Sequence, residues 1–441
     1  MSAPQHISLT QIGQPSPPNQ GHPLDAFADR PPVRSLYIHV PFCSHKCHYC
    51  DFYSFVDTRD QQAAFIERLA AELDGLAPLA AGAPLRSVFI GGGTPSLLRL
   101  HLWERLLHRL HGLFDLSWMT ARAGERARGE FTVECNPESA SPELMAVLAA
   151  GGVNRISVGA QSFDPRHLRT LERTHDPDNV ARAFRAARDA GIARVSADLI
   201  FAIPGQTIDE WDRDLRTALA LGSTHLSCYA LTYESNTPMT ARLKRGEFAA
   251  ADEDLEAEMF EHTVRTLRSA GLQRYEVSNF ARPGDESLHN LAYWHQEQWL
   301  AAGPSASGHA WAGPSMRAGS WRWKNTPRLG DYLAAPPGQR PPITDLEPPD
   351  PARLIRERIM MGLRIAEGLD AAALLADAEA AAPGAAESLS GAAERFAQRG
   401  LLRTGGARWR LTNAGFLVCD HVAAALMDAA RAAAPAPDSR S

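Results

Sequence analysis

One pattern runs six times between residues 35 and 231: a short apolar run of β-type residues, then a longer amphipathic stretch that closes near a glycine. The runs fall at 35–40, 87–90, 130–134, 155–159, 194–199 and 225–231, and stretches such as DQQAAFIERLAAELDGL and DNVARAFRAARDAG between them predict helices. Strands that alternate with helices predict a parallel sheet covered by helices. Six repeats favour an incomplete parallel (β/α) barrel over a doubly wound open sheet, although the spacing fits both. In such a barrel the C-terminal ends of the strands share one mouth, so the residues that end each run are the first place to look for chemistry.

The rest of the chain divides by composition. Residues 1–33 are rich in Pro, Gln and Ser without apolar periodicity and predict a disordered leader. The barrel is expected over 34–302, and a Gly-, Pro- and aromatic-rich connecting region without a long periodic element over 303–345. Residues 346–441 predict a mostly helical C-terminal module: helices at PARLIRERIMMGLRIAEG and AAESLSGAAERFAQRGLL, two short strands flanking Gly405-Gly406, and a final helix capped by Asn413. That order is winged-helix-like, a shape that often binds DNA. With 51 acidic against 45 basic residues and no concentrated basic helix, a structural or docking role is expected and nucleic acid is not. No secretory signal and no membrane-length apolar run is present, so a cytoplasmic protein is expected.

Six cysteines are too few for a secreted disulfide scaffold, and three of them crowd into CSHKCHYC directly after the first strand. Cys43, Cys47 and Cys50 have C-x-x-x-C-x-x-C spacing. Three thiolates on one loop can hold three corners of a cubane iron–sulfur cluster and leave the fourth iron open to a small chelating molecule. S-adenosylmethionine, with its amino and carboxylate groups, fits that role. The competing reading is a zinc site completed by His45 or His48. Cys135, Cys228 and Cys419 read as small core residues or inert thiols.

Other polar groups reach the same rim. Gly91 to Pro95 in FIGGGTPS end the second run, where consecutive glycines let the backbone approach a ligand closely, or simply make a tight turn. Glu134 ends the third run, Gln161 follows the fourth, Asp198 lies near the end of the fifth and Tyr229 in the sixth. Singly, each is more often a cap or a strand-end hydrogen bonder than a ligand contact; together they mark the mouth.

Taken together, YIHVPFCSHKCHYCDF, FIGGGTPS, VECNP, GVNRISVGAQSF and ADLIFAIPG resemble the radical SAM proteins related to oxygen-independent coproporphyrinogen III oxidase, and more narrowly the haem chaperone HemW family. The resemblance runs from about Ser35 into the C-terminal module. It implies that Cys43, Cys47 and Cys50 bind a [4Fe–4S] cluster with S-adenosylmethionine on its unique iron. It further implies that Tyr37, Gly92, Gly93 and Thr94 lie by the cluster or the methionyl group, and that Glu134, Gln161, Arg173 and Asp198 contact S-adenosylmethionine. Arg173 stands twelve residues after Gln161, as in the family's pattern.

Two features separate the subgroups. Decarboxylating oxidases usually place a fourth cysteine two residues after the third, where this chain has Phe52. The segment SLHNLAYWHQ matches the chaperones' H-N-x-x-Y-W haem-binding motif, with His289, Asn290, Tyr293 and Trp294. An imidazole is a common axial ligand and aromatics can cover a porphyrin face, although a lone histidine is more often a satisfied core residue. The expected function is therefore a haem chaperone that takes up haem and passes it to an unidentified acceptor protein, membrane-associated or soluble, with a reductant serving the cluster. A homodimer is compatible with the sequence. The alternatives are an enzyme that oxidatively decarboxylates coproporphyrinogen III to protoporphyrinogen IX, and a DNA-binding regulator with a redox-sensing cluster.

Overall fold

The computed structural model describes residues 30–432 except 122–124, 174 and 337–339, so the leader expected over 1–33 lies outside the described residues up to position 29. Six strands, β1 (Ser35–Val40), β2 (Ser87–Gly92), β3 (Glu130–Cys135), β4 (Arg155–Gln161), β5 (Arg194–Phe201) and β6 (His225–Ala230), lie side by side in chain order. Every neighbouring pair is parallel. Four of them, β2 to β5, run one or two residues further toward the mouth than the apolar pattern predicts.

A parallel strand, Leu300–Ala302, adds beside β1, and two antiparallel strands, Asn279–Ala281 and Gln273–Arg274, add beyond β6. The two end strands do not pair with each other, so the α/β barrel is incomplete. Helices Gln62–Leu76, Leu100–Leu113, Pro142–Ala150, Asp178–Asp189 and Ile208–Ala220 cover the outside. Period-two alternation explains which side chains they cover. Leu36, Ile38, Val40, Val88 and Ile90 are fully buried in one core with Phe65, Leu69, Leu73 and Trp103. The alternate residues, Tyr37, His39 and Phe89, line a cavity on the inner side.

Low in the barrel, Glu130 ion-pairs with Arg155 at 3.4 Å and Arg194 at 2.9 Å. Burial raises the Glu130 pKa, but the two guanidiniums outweigh it and hold the carboxyl at about 2. This anion receives the Leu288 N–H at 3.1 Å and the Ser287 hydroxyl at 2.9 Å, which fixes where the helix Leu288–Trp294 begins.

The stretch 303–345 holds more regular structure than its composition suggests: strands Ser307–Trp311, Ser320–Asn325 and Ile343–Glu347 form an antiparallel sheet. Its SWRWKN strand alternates, and the inward Trp323 joins the main core. The C-terminal residues form helices Pro351–Arg364, Ala371–Ala381, Ala385–Gln398 and Cys419–Ala432 around a second apolar core. Strands Leu402–Arg403 and Arg408–Leu411 flank Gly405-Gly406 as a small wing. The residue capping the short helix Asn413–Leu417 is Thr412, whose hydroxyl accepts from Gly415 N–H, and not Asn413. The Asn413 side-chain oxygen instead accepts from Arg274 at 3.1 Å. Among the described residues no helix is long and apolar enough to cross a membrane.

Candidate functional site

The cysteine loop is tied down before any ligand arrives. Lys46 Nζ donates to the carbonyls of Phe52 and Ser54 at 3.3 Å each, Cys50 N–H donates to Cys47 O at 3.2 Å, and Met239 N–H donates to His48 O at 3.0 Å. Tyr49 packs on a small apolar cluster of Leu171, Ile200, Ile203, Leu231 and Met239 at the end of the sheet. All three thiols are free, and burial together with Cys47 and Cys43 pushes the Cys50 thiol up to about 11.

Their spacing discriminates between the two metal readings. A single tetrahedral Zn²⁺ with Zn–S of about 2.3 Å would draw its thiolates to about 3.8 Å of one another. Among the described residues only Asp164, His167 and Glu210 bring three ligand atoms within 4.8 Å of each other, and the loop cysteines form no such set with or without His45 or His48. His48 Nδ1 is 3.4 Å from the Arg242 guanidinium. As they stand, the three thiols do not form the tight set that one tetrahedral ion draws together.

Around the loop the strand ends close in. Thr94 donates its hydroxyl to Cys43 Sγ at 3.5 Å, and Gly93 and Thr94 N–H groups donate to Val40 O and Phe42 O, both at 2.7 Å. Arg173 donates to Cys47 Sγ at 3.6 Å and to Gly159 O at 2.6 Å, while its buried Nε has no partner among the described residues. Gln161 ends β4 at φ 64°, beside a bulge, a left-handed conformation of the kind that concentrates at functional sites. Asp198 accepts from Ser157 Oγ at 3.1 Å. Glu134 accepts the Gly92 N–H at 3.0 Å; burial and the neighbouring Asp198 raise its pKa to about 8. Burial likewise raises Asp198. Two buried carboxyls, of which Asp198 is only partly offset by Arg155 and Arg173, beside a backbone stripped of side chains at Gly91 to Gly93, fit a cationic ligand such as a sulfonium bearing an amino group.

Beyond β1 and β2 lies a cavity of about 470 Å³ lined by Tyr37, Glu134, His289, Asn290 and Tyr293, with the Tyr37 and His289 rings 6.3 Å apart between centroids. His289 is 1% exposed, with Nδ1 2.9 Å from Ser87 Oγ and Nε2 3.0 Å from the Tyr293 hydroxyl. Burial lowers its pKa to about 4, so the imidazole is neutral at pH 7. Its ring stacks on Phe89 at 5.2 Å between centroids, and Tyr293 meets Trp299 at 4.3 Å.

The structure thus gathers Tyr37, Glu134, His289, Asn290 and Tyr293 around one space. Gly92 joins it through its hydrogen bond to Glu134, while Thr94 pairs with Cys43 and Arg173 with Cys47 at the cysteine loop. Trp294 does not line the cavity; Trp299, five residues on, takes that wall. Tyr229 is 42% exposed. Phe89, His39, Phe52, Ser305, Ser307 and Lys324 also line the cavity. His39 was legible in principle, because it lies two residues after Tyr37 on the same face of β1.

Residues 37–218 match the Radical SAM superfamily and residues 350–418 the HemN C-terminal domain. The chain is 36% identical over 395 residues to the heme chaperone HemW of Mycobacterium tuberculosis, covering 89% of this chain and 94% of that one. It is 32% identical over 341 residues to the heme chaperone HemW of Bacillus subtilis, covering 76% and 85%. Among solved structures it resembles coproporphyrinogen III oxidase (HemN) from Escherichia coli with a TM-score of 0.74 at 23% identity, over 91% of this chain and 92% of that one, a likeness of fold. Radical SAM proteins carry a [4Fe–4S] cluster and S-adenosylmethionine, and the chain belongs to that superfamily and, within it, to the HemW family.

Proposed function

We propose that this chain is a haem carrier that binds haem in the 470 Å³ cavity and passes it to an acceptor protein. Cys43, Cys47 and Cys50 hold the cluster at the mouth. Tyr37, Gly92, Gly93, Thr94, Glu134, Gln161, Arg173 and Asp198 surround S-adenosylmethionine. When bound, these groups supply one-electron chemistry; the chain supplies position, burial and a neutral imidazole.

The observation that carries the reading is that one cavity is lined both by Tyr37 and Glu134 and by His289, Asn290 and Tyr293. Haem is the cargo, and His289 Nε2 is the axial ligand. The tautomer that serves this role is the one in which Nδ1–H donates to Ser87 Oγ, which leaves the lone pair on Nε2, beside the Tyr293 hydroxyl. The test is a hemin titration of the anaerobically reconstituted protein, wild type beside His289→Ala, followed by the haem absorption band. Saturation near one haem per chain that weakens at least tenfold in the variant supports the carrier; equal binding removes His289 from the site.

The enzyme alternative predicts protoporphyrinogen IX together with 5′-deoxyadenosine from coproporphyrinogen III under reducing, oxygen-free conditions. Phe52, 64% exposed at the cavity rim, stands where that enzyme usually has cysteine.

A further inference from the structure

One wall of the cavity carries a cation with nothing to neutralise it. Lys324 lies on the strand Ser320–Asn325, in register with Ser307 of the neighbouring strand, and lines the cavity with Ser305 and Ser307. Among the described residues its ammonium makes no ion pair. Asp345 is its cross-strand partner on the other side and Asp51 lies exposed at the rim, yet neither pairs with it. The hydroxyls of Ser305 and Ser307 likewise donate no hydrogen bond within the described residues. Ser305 is held at φ 64°, left-handed backbone for which a serine needs a reason.

The groups nearest this corner do not supply an internal anion. His39, whose charged form Lys324 disfavours, bonds Tyr53 O at 2.8 Å and Tyr37 OH at 2.9 Å. Glu134, the other carboxyl lining the cavity, accepts from Gly92 N–H and makes no ion pair with Lys324 among the described residues. An ammonium and two hydroxyls whose O–H donors are unspent among the described residues form, on one wall, a donor set that matches a carboxylate, which accepts several hydrogen bonds at once. We infer that Lys324, with Ser305 and Ser307, is the site for a free carboxylate of the cavity's cargo, so that the cargo is a tetrapyrrole with unesterified acid side chains. This rests on the haem-carrier reading and deepens it: His289 would take the metal, and Lys324 with the two serines would fix the macrocycle's rotation. The other source of a carboxylate in this protein is S-adenosylmethionine itself.

The experiment uses the full chain with its cluster and titrates hemin and hemin dimethyl ester into wild type, Lys324→Gln and Lys324→Arg, with S-adenosylmethionine binding measured by equilibrium dialysis on each. A charge-assisted bond lost to a carboxylate costs roughly tenfold in affinity. Wild type should therefore prefer hemin to its ester by about tenfold. Lys324→Gln should lose that preference by weakening hemin alone, Lys324→Arg should keep most of it, and S-adenosylmethionine binding should be unchanged. Equal losses for acid and ester, or no loss, overturn the inference while leaving the carrier standing. A loss confined to S-adenosylmethionine overturns it by assigning Lys324 to the other carboxylate. Wild type that takes up neither porphyrin defeats the carrier reading, and the inference falls with it.

Discussion

The Gly92 N–H donates to Glu134 Oε2 at 3.0 Å, and it can do so only because the strand end that carries it has no side chain. A Cβ on Gly92 would lie 2.5 Å from the His39 ring, and the residue has φ +109°, a conformation that L side chains rarely adopt. Gly92→Ala therefore combines backbone strain with a collision against a buried ring. It should destabilise the ligand-free protein by roughly 2–3 kcal/mol and weaken S-adenosylmethionine binding, read by calorimetry and equilibrium dialysis. An unchanged melting temperature would mean that His39 moves freely, against its two hydrogen bonds.

Stability should depend on pH through Glu134 in a definite direction. With its folded pKa raised to about 8, the folded chain keeps a proton that the unfolded chain releases above about 4.5. Its stabilisation is full below the unfolded value and is lost as pH rises through 8. Glu134→Gln retains an oxygen for the Gly92 N–H and removes the titration. The variant's stability relative to wild type should climb between pH 4.5 and 8 by on the order of 2 kcal/mol or more. His309 works the other way, since burial holds it at about 4. The unfolded chain takes up a proton below 6.5 that the folded one refuses, so His309→Gln should lessen the loss of stability between pH 6.5 and 4. Urea denaturation across that range checks both signs.

Arg274 couples the C-terminal residues to the barrel. Its guanidinium lies 3.7 Å from the Phe416 ring centroid and 5.4 Å from that of Phe260, and it donates to Asn413. Burial lowers its pKa to about 10, so it remains charged at pH 7. A largely desolvated cation on an aromatic face is worth about 2 kcal/mol. Arg274→Ala should lower the melting temperature and separate the C-terminal unfolding transition from that of the barrel, whereas Arg274→Lys should recover only part of the loss. A single unshifted transition would deny the coupling.

What could be read from residues alone follows from where the physics is local. Apolar period and glycine stops found six of the seven parallel strands of the main sheet and missed the short Leu300–Ala302, because a strand buried on both faces leaves its mark within a few residues only when it is long enough. The three-stranded sheet at 307–347 was missed because its strands are short, half-covered and interrupted by Gly and Pro, so their pairing is set by distant partners. The same limit governs the site. The cysteine loop announces itself by spacing, while Trp299, Lys324 and Ser305 reach the cavity only through tertiary packing, and Trp294, expected with the haem-binding motif, is not among the residues lining it. The capping error at Asn413 has a local cause: Thr and Asn are adjacent and both are good caps, and Arg274, far away in sequence, claims the asparagine.

The bond between His289 Nε2 and the Tyr293 hydroxyl at 3.0 Å makes the haem proposal unusually easy to probe. If iron is to use Nε2, the hydroxyl must give way, so the ligand-free protein is stabilised by a contact that the haem-bound protein cannot keep. Tyr293→Phe deletes the hydroxyl and keeps the ring against Trp299. It should therefore cost the ligand-free protein about 1 kcal/mol, the usual net value of such a bond, and tighten hemin binding by a similar free energy, roughly fivefold. His289→Ala should do the opposite to hemin. Melting curves with and without hemin, beside titrations of both variants, read the two effects together. If Tyr293→Phe weakens hemin as much as His289→Ala does, the hydroxyl is itself part of the haem's hold and the assignment of Nε2 as ligand is wrong.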